Sequence, residues 1–249
     1  MKISVITPSL NQADFIEESI KSVLYQDYSN FEHIIIDGGS NDNTIDILKK
    51  YNHLNWISEK DSGQSQAINK GFKLATGDII CWLNSDDYFD TDTFARVSDY
   101  FNKHPDCSLL YGDITYIDEK NTIVRRITGN EISNSALSIY PDLVRQPSTF
   151  WRSSVINEFG GLNEKLRLAM DLDFFLRISR KYKFHYIAQN LSFFRTYPEG
   201  KTLKFQRRQV LEIIIVLFRN NKKISWVTVK ILAKRFLLTF PVLKSLLKL

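Results

Sequence analysis

Lys2-Ile3-Ser4-Val5-Ile6-Thr7 and Phe31-Glu32-His33-Ile34-Ile35-Ile36 decide the fold of this chain. Both are β-branched, largely apolar runs that end in turn residues, the pattern of strands buried on both faces of a parallel sheet. Between them Phe15, Ile16, Ile20, Val23 and Leu24 recur at helical spacing. Strand, helix and strand within 36 residues make a βαβ unit.

Downstream the alternation continues. Asn43-Thr44 opens a second helix with Ile45 and Leu48 on one face, and Asn55-Trp56-Ile57 reads as a short strand. A helix over Gln66–Ala75 is expected to stop at Gly77 as its C-terminal cap, before a strand over Ile79–Leu83. This pattern predicts a doubly wound α/β sheet, whose ligand lies at the carboxyl ends of the strands. Residues 106–150 differ, with short strands such as Ser108–Tyr111 and Ile123–Arg126. A helix over Asp171–Lys181, a strand over Phe184–Ile187, and helices from Leu203 to Leu249, broken near Pro241, follow.

A chain of 249 residues with 43% hydrophobic and 24% charged residues has ample material for a packed core. Cys81 and Cys107 are too few for a disulfide framework, and the four histidines show no zinc-ligand spacing. The opening apolar run is too short for a signal peptide, and no run approaches a membrane span. A cytoplasmic protein, soluble or peripheral to the membrane, is therefore expected. The net charge of +5 conceals a division: residues 201–249 hold 12 basic residues against Glu212 alone, whereas the 21 basic and 27 acidic residues before them give −6.

Polar residues gather where such a sheet would place its site: Thr7-Pro8-Ser9, Asp37-Gly38-Gly39-Ser40, Asp61-Ser62-Gly63-Gln64 and Asn84-Ser85-Asp86-Asp87. Pro8 forbids the glycine turn of a dinucleotide fingerprint, and no phosphate-binding G-x-x-x-x-G-K motif is present. Adjacent carboxylates after a buried strand repel one another unless a cation or hydrogen bonds compensate. Their hard oxygens suit Mg²⁺ or Mn²⁺ completed by phosphates. Taken alone, the pair also reads as a solvated turn ahead of a cap at Asp92-Thr93-Phe94.

The segments Ser4–Asn11, Ile36–Thr44, Ala67–Gly71 and Asn84–Asp87 resemble, in order and spacing, those of the family 2 glycosyltransferases. The resemblance covers about residues 2–202. It implies a GT-A fold and an inverting, metal-dependent transfer of a sugar from a nucleoside diphosphate donor, expected to be a UDP-sugar. By the resemblance Thr7, Pro8 and Ser9 line the nucleotide pocket, Asp37 accepts hydrogen bonds from the nucleoside, and Asp61 reaches the base. Gln64 and Asn84 join the donor site, with Asn84 standing where many members carry Asp. Asp86 contacts the ribose or donor sugar, and Asp87 binds the Mn²⁺ or Mg²⁺.

Gly160-Gly161-Leu162-Asn163-Glu164 and Met170-Asp171-Leu172-Asp173 resemble the family's acceptor segment, with Asp171 as general base. Asp173 lies about 200° round a helix and so faces elsewhere. Read alone, Asp171 is a helix cap. Gln146, Pro147, Ser148 and Trp151 are candidates to shape the acceptor pocket. Phe194–Pro198 with Lys201 resembles a closing loop, from which Arg195 and Lys201 would pair with phosphate oxygens.

The expected organisation is a glycosyltransferase domain over 1–202, with a nucleotide half over about 1–105 and an acceptor half over about 106–202. A basic amphipathic helical tail over 203–249 completes it. The acceptor is expected to be a glycan or lipid-linked sugar. The tail is expected to meet an anionic membrane surface rather than nucleic acid, with packing on the body as the alternative. Competing readings of the whole are a catalytically inactive transferase-like binding module and a sugar nucleotidyltransferase.

Overall fold

The computed structural model describes residues 1–133, 136–221, 225–237 and 239. Its first half runs β1 (Ile3–Ser9), α1 (Ile16–Leu24), β2 (Phe31–Asp37), α2 (Thr44–Leu48), β3 (Leu54–Ser58), α3 (Gln64–Leu74), β4 (Ile79–Trp82), β5 (Tyr88–Phe89) and α4 (Thr93–Lys103). The second half runs β6 (Leu109–Ile117), β7 (Ile123–Ile127), α5 (Ala136–Ile139), β8 (Thr149–Arg152), α6 (Ser153–Phe159), α7 (Met170–Ile178), β9 (Phe184–Arg195), α8 (Lys201–Lys204), α9 (Gln206–Asn221) and α10 (Trp226–Leu237).

The described strands form one sheet in the order β3-β2-β1-β4-β8-β6-β9-β5, with β7 paired to β6. β1 pairs in parallel with β2 and β4, and β2 with β3. Beyond β4 the sheet is mixed: β8 is antiparallel to both its neighbours, while β9 is parallel to β6. This is the α/β architecture that the resemblance implies. The parallel block carries the ends of β1, β2, β3 and β4 to one rim, because each crossover returns its chain to the opposite end.

Both faces of the sheet are covered, which is why the strands read as continuous apolar runs. On one face Ile6, Phe72, Trp82, Trp151 and Phe174 pack under α3 and α7. On the other, Ile3, Val5, Phe94, Val97 and Phe150 pack under α1 and α4. The two cysteines are free and buried. Val210, Ile213, Val216 and Leu217 of α9, with Leu232 of α10, belong to the same cluster as Trp151 and Phe174. The inner face of these late helices is thus core. Pro241 lies outside the described residues.

Two local expectations are corrected. Gly77 does not cap α3, which ends at Leu74 with Ala75 in an extended cap conformation. Gly77 is instead demanded by proximity: a Cβ there would lie 2.6 Å from Ser4 Oγ, the hydroxyl that accepts the Gly77 N–H at 2.8 Å. The strand expected to stop at Ile187 runs on to Arg195. The polar stretch Ala188-Gln189-Asn190 hides its continuity, and irregular register at Gly112–Ile114 of the partner strand absorbs it.

Candidate active site

At the rim, β4 delivers Asn84-Ser85-Asp86-Asp87 into a turn closed by the Asp87 N–H donating to the Asn84 carbonyl (3.1 Å). Asp87 is only 1% exposed. Its Oδ2 accepts from Asn84 Nδ2 at 2.9 Å and its Oδ1 from the Arg195 backbone N–H at 3.0 Å. Burial, and then the neighbouring Asp86 charge, push its carboxyl well above the usual range. Asp86 is half-buried, and Tyr197 donates its hydroxyl to Oδ2 at 2.9 Å. Burial raises its pKa too, against the opposing pull of Tyr197, Arg195 and Lys201.

Each Asp87 oxygen accepts one hydrogen bond inside the protein, which orders Asn84 and the end of β9 and leaves a further lone pair on each oxygen. Asp86, with its one Tyr197 contact, is the more exposed member of the pair.

A hydrogen-bonded chain leads away from the pair. Gln64 Nε2 donates to Asn84 Oδ1 at 2.8 Å, and Lys201 Nζ donates to Gln64 Oε1 at 2.6 Å. Gln64 heads α3, which places it beside the β4 turn. Although Lys201 as a whole is exposed, packing round its ammonium and then the nearby Arg167 cation lower its pKa to about 8. The carboxylates of Glu212 and Asp171 act the other way. The charges of Asp86 and Asp171 both act on Lys201, and Ser65 Oγ of α3 donates to the Leu166 carbonyl at 3.0 Å, which holds the loop ahead of α7 against the helix that bears Gln64. Gln146, expected near the acceptor, approaches Asn84 Nδ2 at 3.4 Å and donates to the Trp82 carbonyl at 2.6 Å.

Asp171 lies in the first turn of α7, whose N-cap is Ala169. It is half-buried, and its Oδ1 accepts the Leu172 N–H at 2.8 Å. Burial raises its pKa to about 6, with Leu172 opposing. A carboxylate so shifted is a stronger base than an ordinary aspartate. Asp173 is 7% exposed and pairs with Arg177 Nε at 3.1 Å. Arg177 in turn donates to the carbonyls of Phe159 (2.5 Å) and Gly161 (2.7 Å). Asp173 is occupied with structure.

Three other expected site residues point inward. Asp37 is fully buried, and its carboxylate accepts from the Gly39 and Ser40 N–H groups and the Ser40 and Ser58 hydroxyls. Oδ2 takes three of these bonds and Oδ1 one, so the carboxylate ties its own loop to the end of β3 and shapes the rim. Thr7 is buried with its Oγ1 2.9 Å from His33 Nε2. Burial, then His53, lower the His33 pKa to about 3, so that ring is neutral. Arg195 is 3% exposed. Its guanidinium donates to the carbonyls of Asp86 (3.0 Å) and Asp118 (3.1 Å) and to Asn121 Oδ1 (2.7 Å), pairs with Glu18, and lies 4.9 Å from the centre of the Phe15 ring. It braces the carboxylate turn and has no free fork for phosphate. The reason is that β9, not a loop, carries it.

The remaining expected residues line the rim. Ser9, 5% exposed beside buried Pro8, has an Oγ without a hydrogen-bond partner, a donor waiting for one. Asp61 uses Oδ1 to accept the Gly63 N–H at 2.7 Å, and its Oδ2 would lie 2.8 Å from a Cβ on Gly38. Tyr197, which donates to Asp86, and Arg167, which lies against Gly63, are rim residues to which the sequence alone assigned no role. The first falls within the Phe194–Pro198 segment, and nothing local marked the second.

Two repelling carboxylates with raised pKa values are the donor chemistry that a hard divalent cation relieves. Among the described residues no three His, Cys, Asp or Glu side chains come together to hold a metal.

The sequence pattern described as "Glycosyl transferase family 2" matches residues 4–194. An uncharacterised glycosyltransferase of Rickettsia conorii is 29% identical over 194 residues, covering 74% of this chain and 32% of the relative. The chain thus spans about a third of that protein's length. A PGL/p-HBAD biosynthesis glycosyltransferase of Mycobacterium bovis is 31% identical over 180 residues, covering 70% of this chain and 68% of the relative. Among solved structures, S. aureus TarS 1–349 in complex with UDP-GlcNAc superposes over 96% of this chain and 71% of that one, with a TM-score of 0.70 at 19% identity. The mannosyltransferase PcManGT from Pyrobaculum calidifontis, in complex with GDP-Man and Mn²⁺, covers 98% and 73%, with a TM-score of 0.68 at 16% identity. These structural likenesses are of fold, the GT-A arrangement. Because the family pattern runs from β1 through β9, the strands that bear the carboxylate turn and its brace, this chain belongs to glycosyl transferase family 2.

Proposed function

We propose that this protein is an inverting glycosyltransferase that moves a sugar from a nucleoside diphosphate donor to an acceptor hydroxyl. The observation that carries the reading is the connected rim, in which Lys201, Gln64, Asn84 and the Asp86–Asp87 pair share one network electrostatically joined to Asp171. Ser9 and Asp61 are assigned to the nucleoside, and Asp86 to a Mg²⁺ or Mn²⁺ ion. When bound, that ion would neutralise charge on the departing diphosphate. Asp171 takes the proton from the acceptor hydroxyl. The acceptor oxygen bonds to the anomeric carbon as the bond from that carbon to the diphosphate oxygen breaks, and the electron pair leaves with the diphosphate. One carboxylate opposite the leaving group suffices for such an inverting displacement.

The UDP-GlcNAc in TarS supports a UDP-sugar as donor, whereas the GDP-Man in PcManGT makes a guanosine donor the alternative to test. Incubation with a panel of UDP- and GDP-sugars plus Mn²⁺ and glycan or lipid-linked acceptors should release nucleoside diphosphate in step with acceptor glycosylation. Nucleoside diphosphate binding without turnover on any acceptor would favour an inactive binding module. Release of pyrophosphate from a nucleoside triphosphate and a sugar phosphate would mark a nucleotidyltransferase instead.

The late helices support a second element of the reading, contact with an anionic membrane surface. On α9, Leu211 (54% exposed), Ile215 (47%) and Phe218 (57%) form an outward stripe opposite the core-facing residues. Arg219 stands beside that stripe, and on α10 the exposed Trp226 and Val229 are interleaved with Lys230 and Lys234. Apolar side chains among cations are what an interfacial helix presents to anionic lipid, each cation adding about 1 kcal/mol. No described helix is long and apolar enough to cross a membrane. The triple variant Leu211→Glu, Ile215→Glu, Phe218→Glu removes only outward side chains. It should keep the melting temperature while losing sedimentation with phosphatidylserine vesicles, and equal sedimentation would remove the membrane claim.

A further inference from the structure

Arg167 lies in the loop ahead of α7. Its backbone N–H and that of Leu168 donate to Glu212 Oε2 at 2.8 and 2.7 Å. Glu212 is 7% exposed on α9, so the late helix sets the position of this loop. Held there, the half-buried Arg167 side chain has no hydrogen bond, carboxylate or aromatic partner among the described residues. Its guanidinium rests on Gly63: a Cβ on that glycine would lie 1.7 Å from Nη1 and 2.8 Å from Cζ. The backbone φ of 135° at Gly63 is a second reason for glycine there.

Gly63 sits between Asp61, which accepts its N–H, and Gln64, which accepts from the Lys201 ammonium. Arg167 and Lys201 thus converge on one short loop from two different elements. The two cations repel, and among the described residues neither makes a direct ion pair with a carboxylate. Like charges crowded without a counter-ion are costly and are relieved by an anion that spans both. The loop opens on the rim that holds Asn84 and Asp86. An arginine fork matches two phosphate oxygens where an ammonium matches one.

We infer that Arg167, together with Lys201, is an anion clamp for the diphosphate of the donor, acting at the Gly63–Gln64 loop beside Asn84. The inference rests on the donor reading above and adds to it a residue that no local motif marks. It also gives α9 a role in the reaction, since Glu212 holds the backbone from which Arg167 reaches.

Titration calorimetry in the presence of Mn²⁺ tests this with three probes: inorganic pyrophosphate, UDP and uridine. In the Arg167→Gln variant, affinity for pyrophosphate and UDP should fall roughly 10- to 100-fold, as expected for losing a charged hydrogen-bonding partner, while uridine binding stays as in the wild type. Arg167→Lys should recover part of the loss, because it restores charge but not the fork. Unchanged pyrophosphate and UDP affinity in Arg167→Gln would overturn the clamp. So would an equal loss for uridine, which would make Arg167 a structural residue. A wild-type protein that binds pyrophosphate in an Arg167-dependent manner but no nucleoside diphosphate would sink the donor reading and leave the clamp standing. Binding of none of the three by the wild type would sink both.

Discussion

Replacing Asp171 with asparagine is expected to lower turnover by roughly 10²–10⁴-fold, the usual worth of a positioned general base, with little change in UDP affinity. The amide keeps the carboxylate's shape and still accepts the Leu172 N–H, but it cannot take a proton. The pH dependence follows from the same residue. With a pKa raised to about 6, Asp171 is protonated, and useless as a base, below that value. Wild-type activity should therefore fall as pH drops through about 6. The sign for stability is the reverse: the folded state binds this proton more tightly than the unfolded chain. Its contribution to stability therefore declines as pH rises from 3.8 towards 6. Asp173→Asn should act mainly on the melting temperature, since Asp173 serves Arg177. Nearly silent Asp171→Asn beside a catalytically dead but stable Asp173→Asn would reassign the base.

Asp86→Asn is expected to abolish the metal-dependent part of nucleotide binding. For the wild type, UDP with Mn²⁺ at 100 times the dissociation constant should add about 2.7 kcal/mol to stability. In the variant, Tyr197 still finds an oxygen acceptor, so the turn keeps its hydrogen bond while the negative charge is gone. Thermal unfolding with UDP, with and without Mn²⁺, should then show the same modest shift in both conditions. Full metal-dependent stabilisation in Asp86→Asn, with its loss in Asp87→Asn, would return the cation to Asp87.

Much of this protein follows from local pattern. The runs Lys2–Thr7 and Phe31–Ile36, separated by a helical stripe, commit the chain to a parallel sheet, because burying both faces of a strand demands unbroken apolar sequence. Parallel connection then sends the polar ends Ser9, Asp61 and Asn84–Asp87 to one rim. Asp171 and Asp173 were separable by helix geometry alone. Tertiary structure decided what pattern cannot encode, namely which atoms meet which partners. Asp86 and Asp87 are adjacent in sequence, yet buried Asp87 accepts the N–H of Arg195, 108 residues away, while half-buried Asp86 meets Tyr197. Asp37 and Arg195 carry the right charges for ligand binding but lie among internal partners. The guanidinium of Arg167 reaches Gly63 only because Glu212, 45 residues further on, fixes its backbone. Hydrophobic period records which face of an element is covered. The partner of a polar atom depends on register and crossing between distant elements, and a buried hydrogen bond is made or lost over a fraction of an ångström.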